Sequence, residues 1–240
     1  MQQISNYVYC DEFISSLKLD TKLMPNQYYD YPYLIIKNFL SKTTCEDITQ
    51  CTHNDSQAVQ AEVKIRILNS IVVSSVDKNI RKTVQHKLHD VFINAYTKSF
   101  KAHQLEIEDF FSLALTTSTK VQVLEYTKGS FYIKHADDSS ELINANKETI
   151  GFIQVAPERK LTTVLFTTSH AKNTNNGMSF NGGELVFNYL FDSDGEQIKL
   201  YPEAGDMIVF PSNPIYSHEV LPVDNGYRLT LVQWHNAIVS

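Results

Sequence analysis

The first residues that suggest chemistry are His135 and Asp137, which end an apolar run. In a β-strand, residues two apart point to the same face of the sheet, so this imidazole and this carboxylate would face one way. A second histidine, His218, lies on a later segment that is predicted as a strand. Two imidazoles and one carboxylate on one face are the ligand set of a divalent iron site with open positions. Spacing alone is a weak signal, because a His-x-Asp tripeptide also occurs by chance.

Ten residues beyond His218, Arg228 offers a planar fork of donors that suits bidentate capture of a carboxylate. It falls on a predicted strand that places Thr230, Val232 and Trp234 on the same face. A structural salt bridge is the alternative role for the arginine. Trp234 is expected to pack a pocket wall, since large aromatic side chains mostly fill cores.

The composition is that of an ordinary globular protein, with 240 residues of which 42% are hydrophobic and 20% charged. The net charge of −6 disfavours nucleic acid as a partner, because no basic field would attract a phosphate backbone. Cys10, Cys45 and Cys51 match no metal spacing and are predicted to be reduced thiols of a cytoplasmic protein. No secretion signal and no apolar run long enough to span a membrane are visible.

The front half is predicted to support a β-rich second half. A short strand in residues 33–40 leads into a helix, for which Thr43 and Glu46 have the spacing of a capping box. A longer helix is predicted from Asp77 to about Phe100, because its apolar residues recur at helical spacing.

His86 and His89 would lie three residues apart on that longer helix. They could share a metal in principle. Without a third ligand nearby, a solvated helix face is the preferred interpretation.

After Lys120 the sequence changes to short runs of β-branched and aromatic residues separated by turn residues, which is typical of a sandwich or barrel. The predicted strands cover residues 121–126, 131–137, 161–168, 184–190, 206–210, 216–221 and 227–235. Two long connections, 138–159 and 169–181, are candidates for lids or specificity loops. No linker separates the two halves, so one domain is predicted over residues 1–240.

Ordered motifs in the second half resemble those of the iron(II)/2-oxoglutarate-dependent dioxygenases, most closely the prolyl 4-hydroxylase-like branch. The likeness covers residues 120–236 and is fainter at 33–45. Its motifs are Tyr126-x-x-Gly129-x-x-Tyr132-x-x-His135-x-Asp137, Gly182-Gly183-Glu184-Leu185, Ala204-Gly205-Asp206-x-x-x-Phe210-Pro211-Ser212, His218-Glu219-Val220, and Arg228 with Trp234.

The resemblance implies a mainly β fold with flanking helices, namely a double-stranded β-helix (jelly roll, cupin-like) in residues 120–240 with an N-terminal helical buttress in 1–119. It implies Fe(II) bound by His135, Asp137 and His218. It also implies 2-oxoglutarate as co-substrate, O2 as oxidant and ascorbate as a candidate reductant. Arg228 would hold the far carboxylate of 2-oxoglutarate.

Three further residues are predicted to line the co-substrate pocket: Tyr126, Thr230 and Trp234. Tyr126 could equally be a core aromatic residue. The chain places Phe166 where relatives often carry a tyrosine that contacts the co-substrate. Thr162 or Thr230 is a candidate replacement for that contact.

Retention of Asp137 favours hydroxylation, because halogenating relatives lack this carboxylate. A prolyl residue of a protein or peptide is the first substrate hypothesis, by analogy within the branch. A free amino acid or another small metabolite is the alternative, and a jelly-roll binding module without turnover is a third possibility. A monomer and a homodimer both stay open.

Overall fold

The computed structural model describes residues 8–10, 19–20, 33–67, 71–143, 149–174 and 177–239. The described helices are α1 (Lys42–His53), α2 (Asp90–Phe111) and a 3₁₀ turn at Pro214–Tyr216. The strands up to α2 and just after it are β1 (Val8–Cys10), β2 (Leu19–Asp20), β3 (Leu34–Ile36), β4 (Val59–Gln60), β5 (Val63–Ile67), β6 (Ile71–Ser75), β7 (Arg81–Lys82), β8 (Val84–Lys87) and β9 (Leu113–Ser118). The later strands are β10 (Gln122–Tyr126), β11 (Phe131–His135), β12 (Ser139–Ile143), β13 (Thr149–Gln154), β14 (Leu161–Phe166), β15 (Ser169–His170), β16 (Ser179–Gly182), β17 (Leu185–Phe191), β18 (Gln197–Leu200), β19 (Met207–Pro211), β20 (His218–Val220), β21 (Val223–Gly226) and β22 (Arg228–Val239).

Two large sheets organise these strands. The first runs β3-β19-β14-β22-β10-β8-β4, with β9 also paired to β22. The second runs β18-β17-β20-β11-β7, with β2 also paired to β17. Each of the seven strands predicted after residue 120 is present within a few residues of its predicted bounds. The prediction of a mainly β fold with flanking helices is therefore confirmed, and the front half contributes strands as well as helices.

The first sheet is buried on both faces, and the period of two along its strands sorts the side chains between two cores. One set faces the second sheet: Leu124, Tyr126, Val164, Phe166, Val232 and Trp234 pack with Leu185, Phe187 and Val220. The alternate set faces the helices: Val123, Leu165, Leu229 and Leu231 pack with Cys45 and Ile48 of α1 and Phe92, Tyr96 and Ile107 of α2. The helices thus cover the outer face of the sheet and leave its inner face to the site.

The capping box predicted at Thr43 and Glu46 is wrong by two residues. The N-cap of α1 is Ser41, whose side chain accepts a hydrogen bond from the backbone N–H of Thr44 at 3.1 Å. Ser41 has extended dihedral angles, whereas Thr43 already lies within the helix. A cap must lie just outside the helical dihedral angles, so only Ser41 can serve.

The helix predicted from Asp77 to Phe100 is also wrong in its first half. Residues 81–87 form β7 and β8, and α2 begins only at Asp90. Short apolar runs fit helical and strand periods alike. Pairing decides the outcome here, since β8 lies antiparallel to β10 in the first sheet.

His86 is consequently a buried strand residue rather than part of a solvated helix face. Its Nδ1 lies 3.0 Å from Asp55 Oδ2 and its Nε2 lies 2.9 Å from Glu125 Oε2. Each ring nitrogen thus has a carboxylate oxygen as its hydrogen-bond partner. The hydroxyl of Tyr227 donates to the same Glu125 oxygen at 2.7 Å. The imidazole therefore ties the segment after α1 to the sheet.

We expect His86→Ala to lower the free energy of unfolding by about 3 kcal/mol, because it leaves two carboxylates without the hydrogen-bond partner that they share. His89→Ala is the matched control. His89 is exposed and makes no side-chain hydrogen bond as N-cap of α2, so its loss should change stability by less than about 0.5 kcal/mol. Urea denaturation of both variants measures the difference. Equal stabilities would contradict the bridging role.

The two segments interpreted as long loops contain strands. In the first, β12 and β13 form an antiparallel hairpin that β1 extends to three strands. The run Thr149-Ile-Gly-Phe-Ile-Gln154 is rich in residues that favour strands. In the second, β15 and β16 form a small sheet with β21. The connections are thus shorter than the sequence predicted.

His235 anchors α2 to the sheet. Its ring stacks on Phe100 of α2 with centroids 4.6 Å apart, while Nδ1 lies 2.7 Å from Ser118 Oγ and Nε2 lies 3.1 Å from Thr163 Oγ1. Burial lowers the pKa of His235 from 6.5 to about 4. The folded protein therefore holds this imidazole neutral in a range where the unfolded chain binds a proton.

We expect the contribution of His235 to stability to be complete above pH 6.5 and to be lost as the pH falls towards 4. The loss should be of the order of 3 kcal/mol. His235→Phe keeps the ring on Phe100 but cannot be protonated, so its free energy of unfolding should fall less over the same range. Denaturation curves at several pH values test this. Parallel pH profiles for the two proteins would contradict it.

None of the helices within the described ranges combines the length and apolarity needed to cross a membrane.

Candidate metal centre

Three side chains that are distant in sequence meet between β11 and β20. His135 ends β11 and lies opposite His218, which begins β20, in an antiparallel pair. Asp137 follows two residues after His135, just past the end of the strand rather than on it as predicted. One ligand atom from each residue lies within 4.8 Å of the other two. The structure therefore brings together the three predicted metal ligands.

Backbone carbonyls fix the orientation of both imidazoles. Nδ1 of His135 donates to the carbonyl of Ile133 at 2.9 Å, and Nδ1 of His218 donates to that of Tyr216 at 3.1 Å. The lone pair of each Nε2 is then available to a metal. These Nε2 atoms lie 3.8 and 4.0 Å from the carboxylate oxygens of Asp137. The three donors thus converge on one point without hydrogen-bonding to one another.

The protonation states also suit a metal. Burial lowers the pKa of His135 to about 3, with the neighbouring His218 adding to the shift. Burial opposes ionisation of Asp137, but the two histidines and a 2.7 Å hydrogen bond from Thr162 Oγ1 outweigh it and lower its pKa. Two imidazole nitrogens and one carboxylate oxygen fit divalent iron.

Arg228, the first residue of β22, is the largest of the almost fully buried side chains. Its guanidinium carbon lies 4.5 Å from the ring centroid of Tyr126 and 5.1 Å from that of Phe166. Burial lowers the pKa of Arg228, and the neighbouring Tyr126 and Glu184 oppose that shift. Buried Nε and Nη1 have no hydrogen-bond partner, and no described carboxylate forms an ion pair with the group. These unsatisfied donors fit an incoming carboxylate better than a structural salt bridge.

One cavity of about 510 Å³ connects the triad to Arg228. Its lining includes all seven predicted site residues, which are His135, Asp137, His218, Arg228, Tyr126, Thr230 and Trp234. Arg228, Thr230, Val232 and Trp234 alternate along β22, so they share the inner face of the sheet. Tyr126 lies opposite Arg228 on the neighbouring strand β10.

The residues around Phe166 show which threonine is near the arginine. Phe166 is fully buried and lies opposite Thr230 across the β14–β22 pair. Thr162 lies at the other end of the cavity, where its hydroxyl contacts Asp137 and Ser212. Of the two candidate replacements for the missing tyrosine contact, only Thr230 is therefore placed close to Arg228.

Arg159 also lines the cavity and was not predicted from the sequence, because it lies in a segment interpreted as a loop. Arg159 Nη1 donates to the backbone carbonyl of Asp137 at 2.9 Å, and its guanidinium carbon lies 3.8 Å from the ring centroid of Trp234. Both Arg159 Nε and Trp234 Nε1 are buried donors without a hydrogen-bond partner. Arg81 also lines the cavity and was missed, because its strand was interpreted as a helix. No local signal distinguished either arginine.

The part of the chain that contains the triad and Arg228 is similar to known proteins. Residues 121–236 match the family model of the 2OG-Fe(II) oxygenase superfamily. A PKHD-type hydroxylase of Idiomarina loihiensis is 32% identical over 121 residues, which is 50% of this chain and 44% of that protein. A similar protein of Maricaulis maris is 31% identical over 124 residues, and the match again covers 44% of its length. The chain thus matches less than half of the length of these curated relatives.

Among solved structures, a prolyl-4-hydroxylase of Pseudomonas putida is similar, with a TM-score of 0.56 at 20% identity over 85% of this chain and 92% of that one. At such low identity the likeness concerns the fold. It confirms the predicted double-stranded β-helix.

Proposed function

We propose that the chain is an Fe(II)- and 2-oxoglutarate-dependent hydroxylase of the 2OG-Fe(II) oxygenase superfamily, whose family model matches residues 121–236. The observation that carries the proposal is the single cavity that joins His135, Asp137 and His218 to a buried arginine with unsatisfied donors. Bound Fe(II) would supply the chemistry in which O2 converts 2-oxoglutarate to succinate and CO2 and places its second oxygen atom in a substrate C–H bond.

In this scheme the protein's own residues hold the metal and the co-substrate and orient the groups that contact them. The two imidazoles would hold the metal through Nε2, and Asp137 would offset part of its charge. Arg228, whose guanidinium packs against the rings of Tyr126 and Phe166, would bind the far carboxylate of 2-oxoglutarate. These apolar faces exclude water, which strengthens a charge-assisted hydrogen bond. Thr162 keeps the carboxylate of Asp137 oriented through its 2.7 Å hydrogen bond.

We infer that the substrate is a prolyl residue within a protein or peptide. The cavity is open along one side, because its lining residues Val59, Gln60 and Glu62 are exposed. An open side lets a chain pass on either side of the reacting residue. The solved relatives support the choice, since one similar structure, at a TM-score of 0.54, is a prolyl hydroxylase of Trichoplax adhaerens in complex with a peptide fragment of hypoxia-inducible factor.

Two unsatisfied donors define where such a substrate would be held. Arg159 Nε and Trp234 Nε1 belong to stacked groups beside Asp137, so one acceptor could take hydrogen bonds from both. A peptide carbonyl meets that need. The carboxylate of a free amino acid meets it equally well, and this keeps a small metabolite as the second candidate substrate.

Incubation with Fe(II), 2-oxoglutarate and O2 separates the candidates. We expect succinate formation and the gain of one oxygen atom on a proline-containing peptide, detected by mass spectrometry, and no gain on the same peptide with alanine for proline. Oxygen gain on free proline alone would establish the metabolite hydroxylase instead. No succinate above a metal-free control with either substrate would contradict an oxygenase and favour a binding module.

A cytoplasmic location is part of the proposal. Cys45 is a buried free thiol and Cys51 an exposed one, which suits a reducing compartment. The side chain of Cys10 lies outside the described residues.

A further inference from the structure

The candidate ligand His135 is packed in a stack of three groups. The ring of Tyr132 lies parallel to the imidazole, with centroids 3.5 Å apart and planes at 15°. The guanidinium carbon of Arg81 lies 4.7 Å from the centroid of Tyr132. A stack at 3.5 Å fills one face of the phenol ring, so Arg81 lies over the other face.

A register shift makes this stack possible. Tyr132 and His135 are three residues apart, and in a regular strand they would point to opposite faces. The pairing of β11 with β20 is shifted between these two residues, which brings both side chains to the cavity. Bulges next to functional sites commonly re-aim a side chain in this way.

Two hydrogen bonds hold the side chain of Arg81 in place, although β7 is an edge strand of the second sheet. Arg81 lies opposite Tyr132 in the β7–β11 pair and is 7% exposed. Its Nε donates to Thr83 Oγ1 at 2.6 Å and its Nη1 donates to the carbonyl of Glu62 at 3.2 Å. No carboxylate of the described ranges forms an ion pair with it. The planar cation is therefore directed at the aromatic ring rather than at an anion.

The second candidate ligand, His218, packs against core phenylalanines rather than against a tyrosine and an arginine. His218 contacts Phe210 and Phe187 of the core, at centroid distances of 5.0 and 6.3 Å. The side chain of His135 is more exposed than that of His218, at 16% against 6%. Its hydrogen bond to Ile133 fixes one edge of the ring but not its tilt.

We propose that Arg81 is a positioning residue for the metal site: by clamping Tyr132, it holds the imidazole of His135 at the tilt that metal binding needs. The inference rests on the proposed function, because it assumes that His135 is a metal ligand. Groups that orient metal ligands typically contribute 10- to 100-fold to metal affinity. Arginine suits this role better than lysine, since its flat guanidinium stacks on an aromatic face.

The test is anaerobic calorimetric titration of the metal-free protein with Co(II), with the absorption spectrum of bound Co(II) as a second readout. We expect Arg81→Gln to weaken Co(II) binding about tenfold or more and to shift the spectrum. Arg81→Lys should recover part of the affinity, and Tyr132→Phe, which keeps the ring, should bind as the wild type does. Lys82→Gln is the matched control, because this exposed cation is next to Arg81 on the same strand.

Thermal unfolding of each metal-free variant shows whether it is folded, and Co(II) affinities are compared only among folded variants. Co(II) affinity and spectrum unchanged in Arg81→Gln would overturn the positioning role and leave the proposed function intact. An effect of Arg81→Gln on the peptide KM alone would likewise overturn it and make Arg81 a substrate contact. A wild-type protein that fails to bind Co(II) would instead contradict the proposed function itself.

Discussion

Arg228→Met is expected to raise the 2-oxoglutarate requirement by roughly 30- to 4000-fold. Loss of one partner of a buried, hydrogen-bonded charge pair costs about 2–5 kcal/mol, and each 1.4 kcal/mol is a factor of ten. The effect should fall on the KM for 2-oxoglutarate and on its binding constant. Affinity for Fe(II) alone should stay the same, since Arg228 lies six residues along β22 from Trp234, which is opposite Thr162, the residue that contacts Asp137.

The same substitution should leave the ligand-free protein as stable as before or more stable. Arg228 buries a cation with two unsatisfied nitrogens, which is unfavourable for folding. Replacing buried charge by an apolar side chain of similar size is often neutral or stabilising by about 1–4 kcal/mol. In a chain of this length, each kcal/mol corresponds to roughly 2–4 °C in Tm.

Thermal unfolding with and without 2-oxoglutarate and Fe(II) measures both effects together. The wild type should gain stability from the ligands, whereas Arg228→Met should gain little. Lys199→Met is the matched control, because Lys199 is an exposed cation on β18 outside the cavity. An Arg228→Met protein with lower ligand-free stability and an unchanged 2-oxoglutarate requirement would mean that the arginine is structural.

Asp137→Asn is expected to reduce metal affinity by more than about 100-fold and succinate formation to background. Residues that only orient metal ligands contribute 10- to 100-fold, so loss of a ligand's charge should exceed that range. The amide keeps the shape of the side chain and can still accept the hydrogen bond from Thr162. The loss would therefore report the missing charge rather than a collapsed site.

Asp138→Asn is the control for that substitution. Asp138 is the next residue and is also buried, but its carboxylate accepts hydrogen bonds from Ser139 at 2.6 Å and Gln154 at 2.9 Å. Folded Asp138→Asn protein should bind Fe(II) with wild-type affinity, whatever its stability. Calorimetric titration of both variants decides the matter. Wild-type affinity in Asp137→Asn would remove this carboxylate from the metal site.

The sequence correctly predicted which side chains face the cavity where the alternation along one strand determines it. Arg228, Thr230 and Trp234 share a face because a strand alternates, and that rule needs no knowledge of neighbouring strands. The motifs around His135 and His218 carried the family resemblance, and that resemblance predicted the double-stranded β-helix. The candidate metal triad and the residues near Arg228 were predicted in these two ways.

The features that the sequence did not predict depend on pairing between segments that are far apart in the chain. Residues 81–87 fit a helical period, yet contacts of β8 with β10 and of β7 with β11 make them strands. For that reason His86 is buried and connects Asp55 to Glu125. Arg159 acquires its place only when its guanidinium meets Trp234, 75 positions later in the chain. No local pattern carries such information, because it arises from the assembled sheets.

Anaerobic calorimetric titration of the protein with 2-oxoglutarate, in the presence and absence of Fe(II), tests the proposed site. One cavity that holds both the triad and Arg228 predicts that tight binding requires the metal and the arginine together. Tight binding should therefore be lost in metal-free protein and in the Arg228→Met variant, with the latter weakened as given above. Equally tight 2-oxoglutarate binding without Fe(II), or in Arg228→Met, would contradict the proposed site.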